Sequence, residues 1–568
     1  MQVSKNKFHN LFIIALIFFF VIFFGKNLNP FDNVSFIGHD ETQLARVSEY
    51  LVNLKNGIFP PKIAPNMSFG MGYPIFNFYA PMPYLLTSVI SFLGFDIPSA
   101  IEASFFIALL IGFTGMYSLL RLKFSDLISA ASALLFATST YFATDIFVRY
   151  NLAETWFMAL VPWGFYAVTN SKNNSNFFIK SLLLSFAFTS HTLLSLFFIP
   201  LIFIFTLLQR SIKSLIIFVC AILLSAYFLI PLFANFDSVS ATEIATISNY
   251  KDHFLCLGQL WYSPVGYGGS ASGCTNDGMS FMIGKLLIIA GLTGIFFYIL
   301  KLRSINFIKS SESASKFFYL LIFLGSIFLT SGSSSFIWNL LSEYMAVFQF
   351  PWRFLVFVVF GLSYFSSEFI NFMPRLLKKI LVLSLIISLF ILQPKFFKGV
   401  EIQNTSILEK YASKKYIKNE AAFKVAEYLP NSANYEAWRR LEAQKTTEFT
   451  LPVVIKNGQA VSILKNEPFE KIILARGADP LVLNSHITPW TEYKINDNLY
   501  IPQNFDLLGR PLLDIPSGNF DKISFSFKET IGDKLGNWLT SITVIILLTY
   551  QAIFNLWFKK IKISKKIH

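Results

Sequence analysis

The stretches 11-LFIIALIFFFVIFF-24 and 381-LVLSLIISLFIL-392 decide the fold class, because neither contains a charge and neither alternates in polarity. A strand of a membrane barrel faces lipid and lumen on alternate residues, so unbroken apolar runs exclude a barrel. They read instead as helices in hydrocarbon, where a span needs about 20 apolar residues. The rest of the chain agrees. Of 568 residues, 54% are hydrophobic and only 14% are charged, and 66 are Phe. A soluble fold of that composition would leave large apolar areas in water, so the solvent is largely lipid.

A span-length ruler places helices near 10–25, 98–120, 126–143, 154–170, 177–190, 192–209, 214–235, 281–300, 317–331, 352–370, 377–393 and 536–557. The expectation is a polytopic α-helical membrane protein of about twelve transmembrane helices. Short cytoplasmic loops carry the Lys and Arg excess. Lys5 and Lys7, Arg121 and Lys123, Lys172, Arg210 and Lys213, Lys301 with Arg303 and Lys309, Arg375 with Lys378 and Lys379, and the tail Lys559 to Lys566 then share one side. Both termini are expected in the cytoplasm, the protein in the cell (inner) membrane. The formal charge of +14 is largely a topology signal, with no nucleic-acid partner implied. The alternation requires that 80-APMPYLLTSVISFLGF-95 lie as a juxtamembrane or re-entrant helix on the outer side. Gly25-Lys26-Asn27-Leu28 offers no small-residue cleavage site, so residues 1–25 read as a retained signal anchor.

The large polar segments, 26–97, 236–280, 332–351 and 394–535, all fall outside. The chain divides into a transmembrane part over 1–393, an extracytoplasmic domain over 394–535, and a last helix with a basic cytoplasmic tail over 536–568. Within the outer domain 408–445 reads helical, while 451-LPVVI-455, 471-KIILA-475 and 523-ISFSF-527 read as strands, which implies an α+β or β-sandwich module. Cys220 falls inside a span. Cys256 and Cys274 share one outer loop, either as a disulfide or as two unpaired thiols.

Ionisable residues recur on the outer face. In 37-IGHDETQLARVSEYL-51, Asp40 reads either as a helix N-cap with a capping-box partner or as a carboxylate able to activate a hydroxyl or hold a divalent cation. The loop 148-VRYNLAETW-156 adds Arg149 and Glu154, the hairpin 189-TSHTLL-194 adds His191, and 348-FQFPWRFL-355 adds Arg353. Separately, the arginines could meet lipid phosphates and His191 could cap its hairpin. Together they fit chemistry on a lipid-linked phosphate, because arginine grips phosphate with a planar fork. No Walker lysine, phosphate-cradling Gly loop or zinc motif occurs, which argues against nucleotide hydrolysis.

Gly38-His39-Asp40 with Arg46, followed by 69-FGMGYPIFNFYAPMPYLL-86, resembles the first outer loop of the GT-C superfamily of membrane glycosyltransferases. Arg149 with Ala153-Glu154, Ser190-His191, 261-WYSPVGYGGS-270 with Asp277-Gly278, and 349-QFPWRF-354 resemble the bacterial membrane family labelled "6-pyruvoyl-tetrahydropterin synthase-related". The soluble synthases of that name cluster histidines around zinc, whereas His9, His39, His191, His253, His486 and His568 are scattered. The resemblance runs from about residue 36 to 370 and continues more weakly through 487-ITPWTEYKIND-497. It departs at Gln43, where such loops commonly carry His.

The resemblance implies a GT-C-like fold and an inverting transferase moving sugar from a polyprenyl-phosphate donor to an extracytoplasmic glycan, lipid or protein. Asp40 would be the base or acceptor-orienting carboxylate, and Glu154 an assisting acid. His191 would act near the leaving group, while Arg149 and Arg353 held the carrier phosphate. A divalent cation, magnesium or manganese, would rest on Asp40 and Glu154. The competing classes are a transporter or flippase for a lipid-linked glycan and a non-catalytic assembly protein. Against the former, the sequence shows no inverted repeat and few charges deep within spans.

Overall fold

The computed structural model describes residues 15–169, 176–240, 249–302, 311–421, 427–444, 453–455, 461–476, 480–515 and 520–567. Lys5, Lys7, Lys172, Arg303 and Lys309, and with them part of the orientation argument, lie outside these residues. Helices occupy the expected spans, but length and apolarity narrow the number able to cross. Five qualify: Ile97–Arg121, Glu312–Thr330, Pro351–Phe372, Arg375–Phe396 and Ile531–Ile553. The count reaches seven if two bent pairs each form one span, Asp126–Ala137 with Thr140–Phe147 (43°) and Ile212–Leu224 with Ala226–Ala234 (61°).

The other expected spans fall short of that test among the described residues. The reason is length and continuity. Phe177–Ser190 and Thr192–Leu208 have 14 and 17 residues, about 21 and 25 Å at 1.5 Å per residue, against a hydrocarbon layer of about 30 Å. At the bends, hydroxyls take main-chain carbonyls: Thr138 Oγ1 donates to the Leu134 carbonyl (2.7 Å) and Ser225 Oγ to that of Ala221 (2.8 Å). Hydroxyls bonded back along a helix favour bending.

The helical body packs on aromatic rings and on small residues where backbones meet. Phe165 stacks on Phe360 at 4.8 Å. Gly291 and Gly294 of Lys285–Leu302 lie against Leu362 and Phe365, where a Cβ on Gly294 would overlap the Phe365 carbonyl. Bare glycine lets two membrane helices approach this closely.

Above the helices lies an outer layer built from distant parts of the chain. Val34–Ile37 pairs antiparallel with Glu401–Asn404, tying the first outer segment to the chain after Arg375–Leu392. Thr42–Lys55 and Pro81–Phe92 pack against each other. Among the described residues of 408–445 are the short helices Lys414–Asn419 and Tyr435–Gln444.

The strands expected beyond it form a four-stranded sheet ordered Val454–Ile455, Leu481–Leu483, Pro511–Leu513, Asn504–Phe505. A five-stranded sheet follows the order Ser462–Glu467, Glu470–Arg476, Phe520–Phe527, Thr491–Ile495, Asn498–Tyr500. Alternate residues of both sheets, including Ile473, Leu483, Leu513 and Phe525, share one core. Ser68, Phe69 and Gly70 all have positive φ. Lys471 Nζ donates to the Gly70 carbonyl (3.1 Å) and Asn484 Nδ2 to that of Phe69 (2.9 Å), docking the strands on the first outer segment. Asp533, opening the last helix, accepts from Trp490 Nε1 (2.7 Å) and lies 3.3 Å from Lys62 Nζ.

Cys256 and Cys274 are joined as a disulfide, which selects between the two readings of that loop. Cys220 is free and half-buried.

Candidate active site

The first wall of the site is set by a close contact between two loops. The N–H groups of His39 and Asp40 donate to the carbonyls of Val148 (2.8 Å) and Arg149 (3.2 Å). A Cβ on Gly38 would meet the Val148 carbonyl oxygen at 2.8 Å, so this approach needs glycine. Tyr267 Oη donates to the Gly38 carbonyl at 2.6 Å and brings the disulfide-bonded loop to the same place.

Asp40 is not a side-chain N-cap. The residue preceding Thr42–Lys55 is Glu41, which has no capping side-chain bond. The Asp40 carboxylate accepts instead from the Thr42 hydroxyl and from Gln43 Nε2 (2.5 Å), with Arg46 at 3.7 Å and a third of the side chain exposed. Gln43 thus serves as a fixed donor where the resembling loops carry His. Its Oε1 in turn accepts from Tyr84 Oη (2.8 Å), and Arg46 lies over the Tyr79 ring at 5.1 Å.

Behind this wall is a buried charge network. Asn151 accepts from the Glu154 N–H (3.0 Å) at the start of Leu152–Thr169, which turns the Glu154 side chain inward. Its carboxylate meets Arg149 Nη1 at 2.7 Å, Tyr141 Oη at 2.5 Å and Arg353 Nε at 4.0 Å. Arg149 also pairs with Asp145 and lies over the Trp352 ring at 4.3 Å. Arg353 donates to the Phe348 carbonyl at 2.8 Å and lies over Phe350 at 4.9 Å.

Asp40, Arg149 and Arg353 line a single cavity of about 1340 Å³, together with His39, Arg46 and Glu427. Glu154 and His191 are fully buried and not among the lining residues. His191 accepts from the Leu194 N–H at 3.3 Å through Nδ1 and caps Thr192–Leu208, while its Nε2 has no partner. Its neighbour Thr192 does line the cavity. The lining also includes the apolar Leu196, Phe197, Pro200, Leu232, Phe233 and Val347.

Several lining residues escaped sequence reading. Glu427 comes from the outer segment, beside Tyr428, whose N–H donates to Tyr73 Oη (2.8 Å) and whose ring stacks on Phe78 at 5.5 Å. Burial lifts the Glu427 carboxyl above the usual range; the Asp40 charge acts in the same direction, and Arg46 and Arg353 oppose it. Nothing local announces this residue. His253 and Ser270 also line the cavity, with Nδ1 and Oγ 2.8 Å apart and Trp352 Nε1 donating to that Oγ at 3.1 Å. Asp145 could have been found, since it lies four residues before Arg149, one helical turn away.

The residues present do not suit the divalent cation expected on Asp40 and Glu154. The Glu154 oxygens are engaged by Tyr141 and Arg149, and those of Asp40 by Thr42 and Gln43. No group of three or more His, Cys, Asp or Glu poised for a metal occurs among the described residues.

No family model matches the chain, and no curated protein matches it. Among solved structures the chain is similar to the oligosaccharyltransferase of Archaeoglobus fulgidus in its apo form, at 12% identity and a TM-score of 0.44, over 79% of this chain and 69% of that one.

Proposed function

We propose that the protein is a membrane glycosyltransferase of the GT-C type that takes a sugar from a polyprenyl-phosphate carrier and delivers it to an extracytoplasmic glycan, lipid or protein. The observation that carries this reading is the mixed lining of the cavity, which presents Arg46, Arg149 and Arg353 with the carboxylates of Asp40 and Glu427 together with the apolar Leu196, Phe197, Leu232 and Phe233. A charged head and an isoprenoid tail need such a pairing. A nucleotide-sugar donor would have no use for the apolar residues.

Arg353 is the phosphate grip best supported. Arg149 is neutralised by Asp145 and Glu154, whereas Arg353 approaches a carboxylate only at 4.0 Å and its Nε has no hydrogen-bond partner among the described residues. Arg149 and Glu154 then act by holding Arg353 and Trp352 in place. His191 supports the same wall from behind through Thr192, and its catalytic part is confined to orientation.

The test is transfer by purified protein from a panel of polyprenyl-phosphate sugars. Arg353→Lys keeps the charge but loses the fork. It should raise the donor KM by about 10-fold or more, the scale of one charge-assisted hydrogen bond, with a smaller effect on kcat. An unchanged donor KM would remove Arg353 from the phosphate site.

A further inference from the structure

We infer that Glu427, carried by the outer segment far from Asp40 in sequence, is the carboxylate that receives the acceptor's hydroxyl proton, and that Asp40 is a fixed charge that tunes it. This rests on the glycosyltransferase reading and names the base of that same site.

The two carboxylates share one cavity. Asp40 already accepts from the Thr42 hydroxyl and Gln43 Nε2, with Arg46 at 3.7 Å. A base in that state must release a donor before it can take a proton. Glu427 lines the same cavity as Asp40 and Arg353, where an incoming hydroxyl can reach it. The groups around it are Arg46 on the Thr42–Lys55 helix, Asp40, Arg353, and the phenols of Tyr73, Tyr79 and Tyr428. Burial raises its proton affinity above that of an ordinary Glu; Arg46 and Arg353 oppose the rise, and the Asp40 charge adds to it.

In the step this implies, the acceptor oxygen attacks the sugar C1 while Glu427 takes its proton. The bond from C1 to the phosphate oxygen breaks, and its electron pair leaves on the polyprenyl phosphate held by Arg353. The protonated Glu427 then returns its proton to solvent through the open cavity.

The experiment uses the full chain in detergent. Transfer rates are measured across pH, and binding of a short-chain polyprenyl phosphate is read separately from tryptophan fluorescence, for which Trp352 in the cavity wall is the reporter. Glu427→Gln should lower kcat by about 10²-fold or more at every pH, as loss of a positioned base does, while leaving polyprenyl-phosphate binding within about twofold. Glu427→Asp should restore part of the rate. Asp40→Asn should cost less than Glu427→Gln and move the acid limb of kcat/KM to lower pH, because it removes the negative neighbour that raises the proton affinity of Glu427. Transfer by Glu427→Gln within about threefold of the unmodified protein, or an acid limb unmoved by Asp40→Asn, overturns the assignment while leaving the glycosyltransferase reading standing. Failure of the unmodified protein to transfer from any polyprenyl-phosphate sugar overturns both.

Discussion

Glu154 lies at the centre of the buried network, and its contacts divide its roles. Arg149, Tyr141 and the more distant Arg353 converge on one carboxylate that has no exposed surface. Removing one partner of a buried ion pair leaves a charge uncompensated and costs about 3–5 kcal/mol. Glu154→Gln should therefore lower the thermal unfolding temperature in detergent markedly. Loss of activity by Glu154→Gln at unchanged thermal stability would make Glu154 a direct participant in the chemistry. Asp40 teaches the converse. The run Asp-Glu-Thr-Gln reads as a capping box, yet its side chains bond to each other, because the helix begins two residues later.

At the scale of elements, the strand module carries a histidine that acts as a pH-sensitive strut. His486 is fully buried against Trp438, with its backbone N–H donating to the Met71 carbonyl at 2.8 Å. Burial pushes its pKa down from 6.5 to about 3. The unfolded chain thus binds a proton between those values that the folded chain does not. The stability from a neutral His486 is full above about pH 6.5 and is lost as pH falls, at about 1.4 kcal/mol per pH unit. Unfolding temperatures of the full chain should fall from pH 7 toward pH 4. His486→Phe, which keeps a ring beside Trp438 and cannot titrate, should flatten that slope. An equally steep slope in the variant would place the sensitivity elsewhere.

For the whole molecule, the charges sort to the two ends of the helices. Arg353 opens Pro351–Phe372 at the cavity, while Glu368, about 22 Å further along at 1.5 Å per residue, pairs with Lys316 at 2.8 Å. Lys123 joins that far cluster, 4.0 Å from Glu312. Lys and Arg favour the cytoplasmic side. Reporter fusions after Lys123 should therefore read cytoplasmic, and fusions within the loop closed by Cys256 and Cys274 should read outside. Fusions at both places reading the same side would contradict a cavity that opens away from the cytoplasm.

The helical membrane character and the strands at 454–455, 471–475 and 523–527 were legible in the sequence, because apolar run length and alternation are local signals. The number of helices able to cross was less so, since a bend at Ser225 or Thr138 depends on which carbonyl a hydroxyl reaches. Tertiary structure alone decided that Glu427 shares a cavity with Asp40, that Arg149 is neutralised while Arg353 is not, and that His191 is a cap behind the wall. The physical reason is range: periodicity and composition report on a helical turn or a strand pair, whereas the chemistry of a carboxylate is set by the charges and donors that folding brings within a few ångströms.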